Sequence, residues 1–578
     1  MTRHFALVLA MTLTVTLPAQ SATWQDKVDP RLSLNEPSDV LIFLSDQADL
    51  DQAQTLDTRR QRGRLVCALL QETAARTQSS LRQELEQDGL AYRPFWICNA
   101  IAVPEASPAL LSTLARRDDV ARIVPDLLVA LVRPDPAALI PAGSGSRTIP
   151  WNIDQIGAPD VWATGNTGQS AVVGILDSGC DWQHPAVRDQ YRGWTGDSVE
   201  HDYNWHDAVH ESDRPCGPDS PEPCDDLGHG THILGTAVGD DGQGMQIGVA
   251  PGARWIACRC LDGAWSSPSM FFEGFEWMMA PRPVGGGPGD PDRAPDVITT
   301  AWYCPPPICA TWDMLLPAVA ALRAAGIMVV GTAGGDGPGC DSIIFPPAIY
   351  DEIYTIGVTD QTDGVTSFSG RGPVVTEQGT LTKPDLSAPG VDILSCLPDG
   401  EYSQWSGGAM ANAHGAGAVA LVVTALPALA GDPDAIEARL NTTAVPLTSN
   451  QCGDGAAVPN SVYGHGRLDV AAACDEITAV PPSAAAVIHL LPNEPNPFNP
   501  RTTLVYELEQ PGTIGLQIHD LAGKLIRVLK HDAWQPAGQH RVLWDGRDDR
   551  GRDVATGVYL SCLQSGQNRA VGRMVLIR

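Results

Sequence analysis

Trp405-Ser-Gly-Gly-Ala-Met-Ala-Asn-Ala-His-Gly-Ala-Gly417 is the third of three segments that decide the fold of this 578-residue chain. The first is the apolar run Ala171-Val-Val-Gly-Ile-Leu176, which reads as a buried parallel strand and delivers Asp177-Ser178-Gly179 at its carboxyl end. The second, Asp226-Leu-Gly-His229-Gly-Thr-His232-Ile-Leu-Gly-Thr236, places His229 at the start of a helix. A carboxylate at a strand end can accept the Nδ1 proton of a histidine, hold its tautomer and stabilise the imidazolium while Nε2 takes a proton from a hydroxyl. Asp177 and His229 suit these two roles. In the third segment, position 409 is Ala409, which carries only a methyl group.

The chain order of acid, histidine and nucleophile segment resembles the subtilisin-like serine peptidases, the subtilases. Gly248-Val-Ala-Pro-Gly-Ala253, Ser367-Phe-Ser-Gly-Arg-Gly-Pro373 and Lys383-Pro-Asp-Leu-Ser-Ala-Pro-Gly-Val391 follow in that family's order. The resemblance implies an α/β fold, a subtilisin-like parallel sheet flanked by helices, over residues 149–475. It also implies that Ala409 stands where the catalytic serine belongs.

Further departures cluster around the same cleft. Ile327-Met-Val-Val-Gly-Thr-Ala-Gly-Gly-Asp-Gly-Pro-Gly-Cys340 resembles the family strand ending in Ala-Gly-Asn-Asp-Gly, with Gly335 in place of the asparagine that donates to the oxyanion. Loss of one such donor costs about 10²–10³ in kcat. Thr300-Ala301-Trp302-Tyr303-Cys304-Pro305 resembles the strand Asn-Ser-Trp-Gly-Cys-Pro that lines the substrate cleft, with Ala301 for its serine, and Ala301, Trp302 and Gly408 are expected to bind substrate. Gly408 replaces the usual threonine and Ala413 the usual proline. Ser406 and Ser403 are the nearest substitute hydroxyls in sequence, and Cys180 reads as a buried apolar residue rather than a nucleophile. His232 and His414 read as packed within their helices.

A formal net charge of −30 and a pI near 4.6 argue against nucleic acid or an anionic membrane surface as partner. The N-terminus carries a basic residue, an apolar run over 5–17 and small residues at 18–22, the pattern of a signal peptide over 1–21 that directs secretion or surface display. That run is too short for a membrane span, and no integral span is expected elsewhere. Fourteen cysteines fit an oxidising compartment, with Cys216 and Cys224, Cys304 and Cys309, and Cys452 and Cys474 as candidate pairs.

Strands at 40–44, 95–103 and 120–124 and helices at 66–87 and from Ser107-Pro108 to Arg117 give a βαββαβ-like alternation over 36–133. The helix at 66–87 places Leu69, Leu70, Ala74, Leu81 and Leu85 on one face. This resembles the ferredoxin-like inhibitory propeptide of subtilases. Residues 133–146, rich in Pro, Ala, Gly and Ser, read as the linker that an active relative would cut, and 149–162 resemble a mature subtilase N-terminus. Signal, propeptide and peptidase-like regions together look most like the bacillopeptidase F-like branch.

A second linker, 476–492, precedes 493–578, where period-two strands at 503–508 and 513–518, a Gly/Asp turn at 544–552 and a last strand group at 557–560 form an Ig-like β-sandwich. It resembles the sorting domain at the C-terminus of proteins exported by the type nine secretion route, with attachment to the cell surface as an implied role. The acidic stretch 201–226 reads as a solvated loop, with structural calcium as the alternative; no metal ligands are assigned and no other cofactor is expected. Three functions remain open. The first is a secreted pseudopeptidase that binds peptide or protein segments, its own propeptide included, without cutting them. The others are a slow serine endopeptidase using a displaced hydroxyl or a His229-activated water, and a structural surface protein with a vestigial cleft.

Overall fold

The computed structural model describes residues 24–475 and 488–578, apart from short stretches at 34, 57, 131–138, 141–148, 306–308, 310, 377–378, 455–456, 510–511, 521–523, 536–537, 549–551 and 566–567. The expected signal peptide at 1–21, much of the expected linker at 133–146 and most of that at 476–492 therefore lie outside the described residues.

The N-terminal unit runs β1 (Ser38–Leu44), α1 (Arg59–Gln87), β2 (Arg93–Phe95), β3 (Ala100–Ala106), α2 (Pro108–Leu114) and β4 (Val120–Pro125), with antiparallel sheet order β2-β3-β1-β4. α1 starts seven residues earlier than the apolar pattern suggests, because the Thr58 side chain caps it by accepting from the Gln61 amide. Ser107 caps α2 in the same way, through Leu110. The single strand expected over 95–103 is split into β2 and β3 by a turn in which Asn99 adopts φ 45°.

This unit does not have a core of its own on every side. Phe43 and Phe95 both approach Phe272 of the next domain, with ring centroids 5.9 Å apart in each case, and share one apolar cluster with Phe271, Phe275 and Leu315. Polar ties reinforce that contact: Arg59 to Asp296 at 2.5 Å, Arg93 to Glu273 at 2.5 Å and Arg122 to Asp313 at 2.7 Å. The buried Glu276 carboxylate accepts the backbone amides of Trp96 and Ile97.

Two short strands then continue onto the next domain. β5 (Val129–Ala130) pairs antiparallel with residues 265–266, and β6 (Leu139–Ile140) with residues 402–403. Short helices α3 (Trp151–Gln155) and α4 (Ala158–Ala163) follow.

The central sheet is built from β7 (Val172–Asp177), β8 (Trp205–Asp207), β9 (Arg254–Arg259), β11 (Val297–Thr300), β12 (Met328–Thr332), β13 (Tyr354–Thr359) and β16 (Leu386–Pro389). All seven are parallel, in the order β16-β13-β12-β11-β7-β9-β8. Strands covered on both faces need near-continuous apolar character, and β7, β11, β12, β13 and β16 are almost wholly buried. Helices α5 (His229–Val238), α6 (Pro268–Met279), α7 (Leu316–Ala324) and α8 (Gly408–Ala425) cover the sheet, with α9 (Pro433–Thr443) and α10 (Val470–Cys474) behind. β10 (Trp265–Ser266), the hairpin β14 (Val374–Thr376) with β15 (Gly379–Leu381), and the pair β17 (Ile393–Leu397) and β18 (Glu401–Trp405) lie outside it. α8 alone among the described helices is long and apolar enough to cross a membrane, but it is 83% buried as a core helix.

The C-terminal region packs a three-stranded antiparallel sheet, β19 (Ile488–Leu490), β20 (Thr502–Leu508) and β23 (Gly538–Trp544), with a four-stranded one. The latter contains β21 (Gly512–Asp520), β22 (Leu525–Gln535), β24 (Gly557–Ser565) and β25 (Asn568–Leu576). Between them lie Leu504, Tyr506, Leu516, Trp544, Leu563 and Met574. β19 moves the start of this region back to 488, inside the expected linker, because Ile488 to Leu490 pair with β20. β25 adds a strand beyond the group at 557–560.

Candidate active site

β7 ends at Asp177, which is fully buried. Its Oδ1 accepts the Ser178 amide at 2.7 Å and lies 2.7 Å from His229 Nδ1. With the carboxylate ionised, Nδ1 is the donor, which leaves Nε2 as the free base. Burial opposes protonation of His229, but the charge and hydrogen bond of Asp177 outweigh it and hold the pKa above the usual histidine value. Asp177 and His229 therefore stand together as the sequence predicts.

What holds His229 in place was not read from the sequence. His229 opens α5, and its N-cap Gly228 has φ 83°, a left-handed conformation that glycine adopts readily. The Asp225 carboxylate sits beneath this turn. Its Oδ1 accepts the amides of Leu227 at 3.0 Å and Gly228 at 2.8 Å and the Ser178 hydroxyl at 2.9 Å. Its Oδ2 accepts both the amide (2.9 Å) and the hydroxyl (2.7 Å) of Thr231. Burial raises the Asp225 pKa to about 6, with these bonds pulling the other way. An aspartate just ahead of a helix start is the only local signal for this role.

Position 409 is the second residue of α8, where the first backbone amides of a helix have no intrahelical partner. Ala409 is half-buried there. Gly335 lies just beyond the end of β12, and a Cβ built on it meets nothing within 4 Å. Gly408 is different: a Cβ there would fall 2.2 Å from Thr332 Oγ1. The bulk that a threonine at 408 would bring is thus supplied from across the gap by Thr332.

Neither substitute serine is free. The Ser406 hydroxyl accepts the Asp392 amide at 2.8 Å and donates to the Asp392 carboxylate at 3.4 Å, and Ser403 is fully buried in β18. The Cys180 thiol is buried, which together with Asp225 and Asp177 drives its pKa well above the usual value. His232 stacks on Trp405 at 4.8 Å, and burial lowers its pKa to about 3. His414 lies within hydrogen-bond distance of Met410 O and Asn152 Nδ2, both at 2.8 Å, and burial lowers its pKa to about 4. Both are packed residues.

Two expectations need correction. The Trp302 indole is not a cleft contact: it stacks on Phe271 at 3.8 Å, and its Nε1 donates to Leu176 O, so the ring belongs to the core. Ala301 is likewise buried. The third disulfide joins Cys340 to Cys452, with Cα atoms 5.4 Å apart, while Cys474 is free in α10; Cys452 and Cys474 lie on separate elements that the fold does not bring together. Cys216–Cys224 and Cys304–Cys309 form as expected.

In the acidic stretch 201–226, Asp207 pairs with Arg259, Asp219 with His210, and Asp202 accepts the Val284 amide. Among the described residues no group of three or more His, Cys, Asp or Glu could hold a metal ion.

A seven-stranded parallel sheet that carries an aspartate at one strand end and a histidine opening the facing helix defines the scaffold of a subtilisin-like serine peptidase. The Subtilase family profile matches residues 168–466, and the chain belongs to that family. It is 33% identical to Bacillopeptidase F of Bacillus subtilis (strain 168) over 476 residues, which cover 77% of this chain and 32% of that protein. It is 29% identical to Subtilisin E of the same organism over 331 residues, 57% of this chain and 72% of the relative. Against the Major intracellular serine protease of that strain, identity is 29% over 276 residues, 47% of this chain and 75% of the relative. The chain thus spans about a third of the length of Bacillopeptidase F.

Proposed function

We propose that this chain is an exported pseudopeptidase of the subtilase family that holds an extended peptide or protein segment in its cleft without cutting it. One observation carries the reading: Ala409 occupies the first turn of α8 while the Asp177–His229 pair is complete. A base without a nucleophile cannot form an acyl-enzyme. The open side of Gly335 supports the same reading, since no side-chain donor reaches toward an oxyanion there. Ser406, engaged with Asp392, and the buried Ser403 give the displaced-hydroxyl alternative no support.

β10 and β18 each pair antiparallel with a short segment of this chain, β5 and β6, and this reading gives an extended occupant the same mode of pairing. In this reading residues 36–133 are a propeptide-like domain that stays covalently attached, because the serine that would release it is absent. Export rests on the signal-like N-terminus and the three disulfides, and surface attachment is assigned to the C-terminal β-sandwich.

The test is chemical. Purified protein should show no labelling by a fluorophosphonate and no casein hydrolysis above buffer; stoichiometric label on Ser406 refutes the proposal. N-terminal sequencing of protein secreted from a protease-deficient host should give a start near Ala22, whereas a start near Ile149 would mean self-processing. Peptide binding should tighten once an added protease cuts the linker at 133–147, because a tethered occupant competes at high effective concentration.

A further inference from the structure

We propose that Tyr303 and Phe345 set the size of the residue that a bound segment presents beside position 409, and that this cleft selects segments with glycine, alanine or serine there. The inference rests on the peptide-holding reading above. Thr332 and Gly334 lie against the start of α8: a Cβ on Gly408 would fall 2.2 Å from Thr332 Oγ1 and 3.2 Å from Gly334 O. The same two residues line a pocket with Tyr303, Asp336, Ile343 and Phe345. Its cavity is only about 10 Å³, roughly the room one water needs.

The pocket is small because two aromatic rings stand in it. Tyr303 and Phe345 stack with centroids 5.4 Å apart and planes 15° from parallel. An aromatic residue of an incoming segment needs about 150–250 Å² of its own burial, and it would have to break this stack first.

The stack is held from both ends. The amide of Cys304, next to Tyr303, donates to the carbonyl of Pro346, next to Phe345, at 2.7 Å. On one side Trp302 is fixed by Phe271 and Leu176, and on the other Cys304 is closed to Cys309. Cys340, in the loop that leads to Ile343, is tied to Cys452. A plug anchored in this way does not swing aside for a ligand at little cost.

The experiment uses the full chain carrying Ala409→Ser and Gly335→Asn, given a mixture of unstructured peptides, with each cut mapped by mass spectrometry. Glycine, alanine and serine should lead phenylalanine, tyrosine and leucine by at least about tenfold on the acyl side of the cut bond. Adding Tyr303→Gly, or separately Phe345→Ala, should shift that ratio toward the large residues by about 10–100-fold, the worth of burying one large apolar side chain. Cutting after phenylalanine with Tyr303 and Phe345 still in place overturns the inference. Should the restored chain be inert, the same peptides are presented to the Ala409 chain, nicked at 133–147, with and without Tyr303→Gly, and the retained peptides are sequenced. Retained sets that do not differ in residue size overturn the inference alone, and retention by neither chain overturns the peptide-holding reading together with it.

Discussion

Ala409→Ser with Gly335→Asn tests the pseudopeptidase reading proposed above. Serine at 409 adds one hydroxyl at a half-buried position in the first turn of α8, and a surface-accessible change of that size shifts stability by about 0.5 kcal/mol or less. Asparagine at 335 enters open space, because a Cβ there contacts nothing within 4 Å. The Asp177–His229 pair is already at 2.7 Å, so both substitutions should fold. The serine alone restores the nucleophile, and the added amide should raise kcat by about 10²–10³, or 2.7–4 kcal/mol of transition-state stabilisation. Initial rates on a chromogenic peptide read both steps, and fluorophosphonate labelling counts competent sites. A folded double variant that labels but gains less than about threefold from the asparagine refutes the reasoning about Gly335. One that does not label at all means that Nε2 of His229 does not face position 409.

Gly408→Thr should destabilise the protein and lower its melting temperature, because the added Cβ meets Thr332 Oγ1 at 2.2 Å; Thr332→Ala in the same chain should recover most of the loss. Asp225→Ala should cost about 3–5 kcal/mol in denaturant unfolding, since it strips several buried donors around α5 of their acceptor. Cys452→Ser should lower stability by about 2–4 kcal/mol through loss of a 112-residue closure, whereas Cys474→Ser, at a free thiol, should change it little. The His229 pKa is raised in the folded state, so its contribution is present in full below about pH 6.5, the unfolded value, and is lost as pH rises through the folded value. Thermal melts should accordingly show His229→Gln to be more destabilising at pH 6 than at pH 9, and equal penalties at both would contradict the Asp177 pairing.

Much of the candidate site was legible in the chain because its signals are local. An apolar run that ends in aspartate marks the carboxyl end of the strand where Asp177 sits, a Gly-His-Gly-Thr step marks a helix start, and Ala409 and Gly335 are plain identities at positions framed by glycines and small residues. The burial of β7 follows from its continuous apolar run, whereas that of α8, apolar enough to cross a membrane, is settled by its packing. Tertiary structure decided what depends on residues distant in sequence. Asp225 supports His229 only because the chain folds that turn onto Ser178; Thr332 takes the space beside Gly408 across two elements; Cys340 reaches Cys452 over 112 residues. The same cause turned Trp302, just past the end of β11, inward onto Phe271. Periodicity and propensity act between neighbours along the chain, whereas these contacts arise when loops close and side chains compete for one volume. No reading of single segments carries that information.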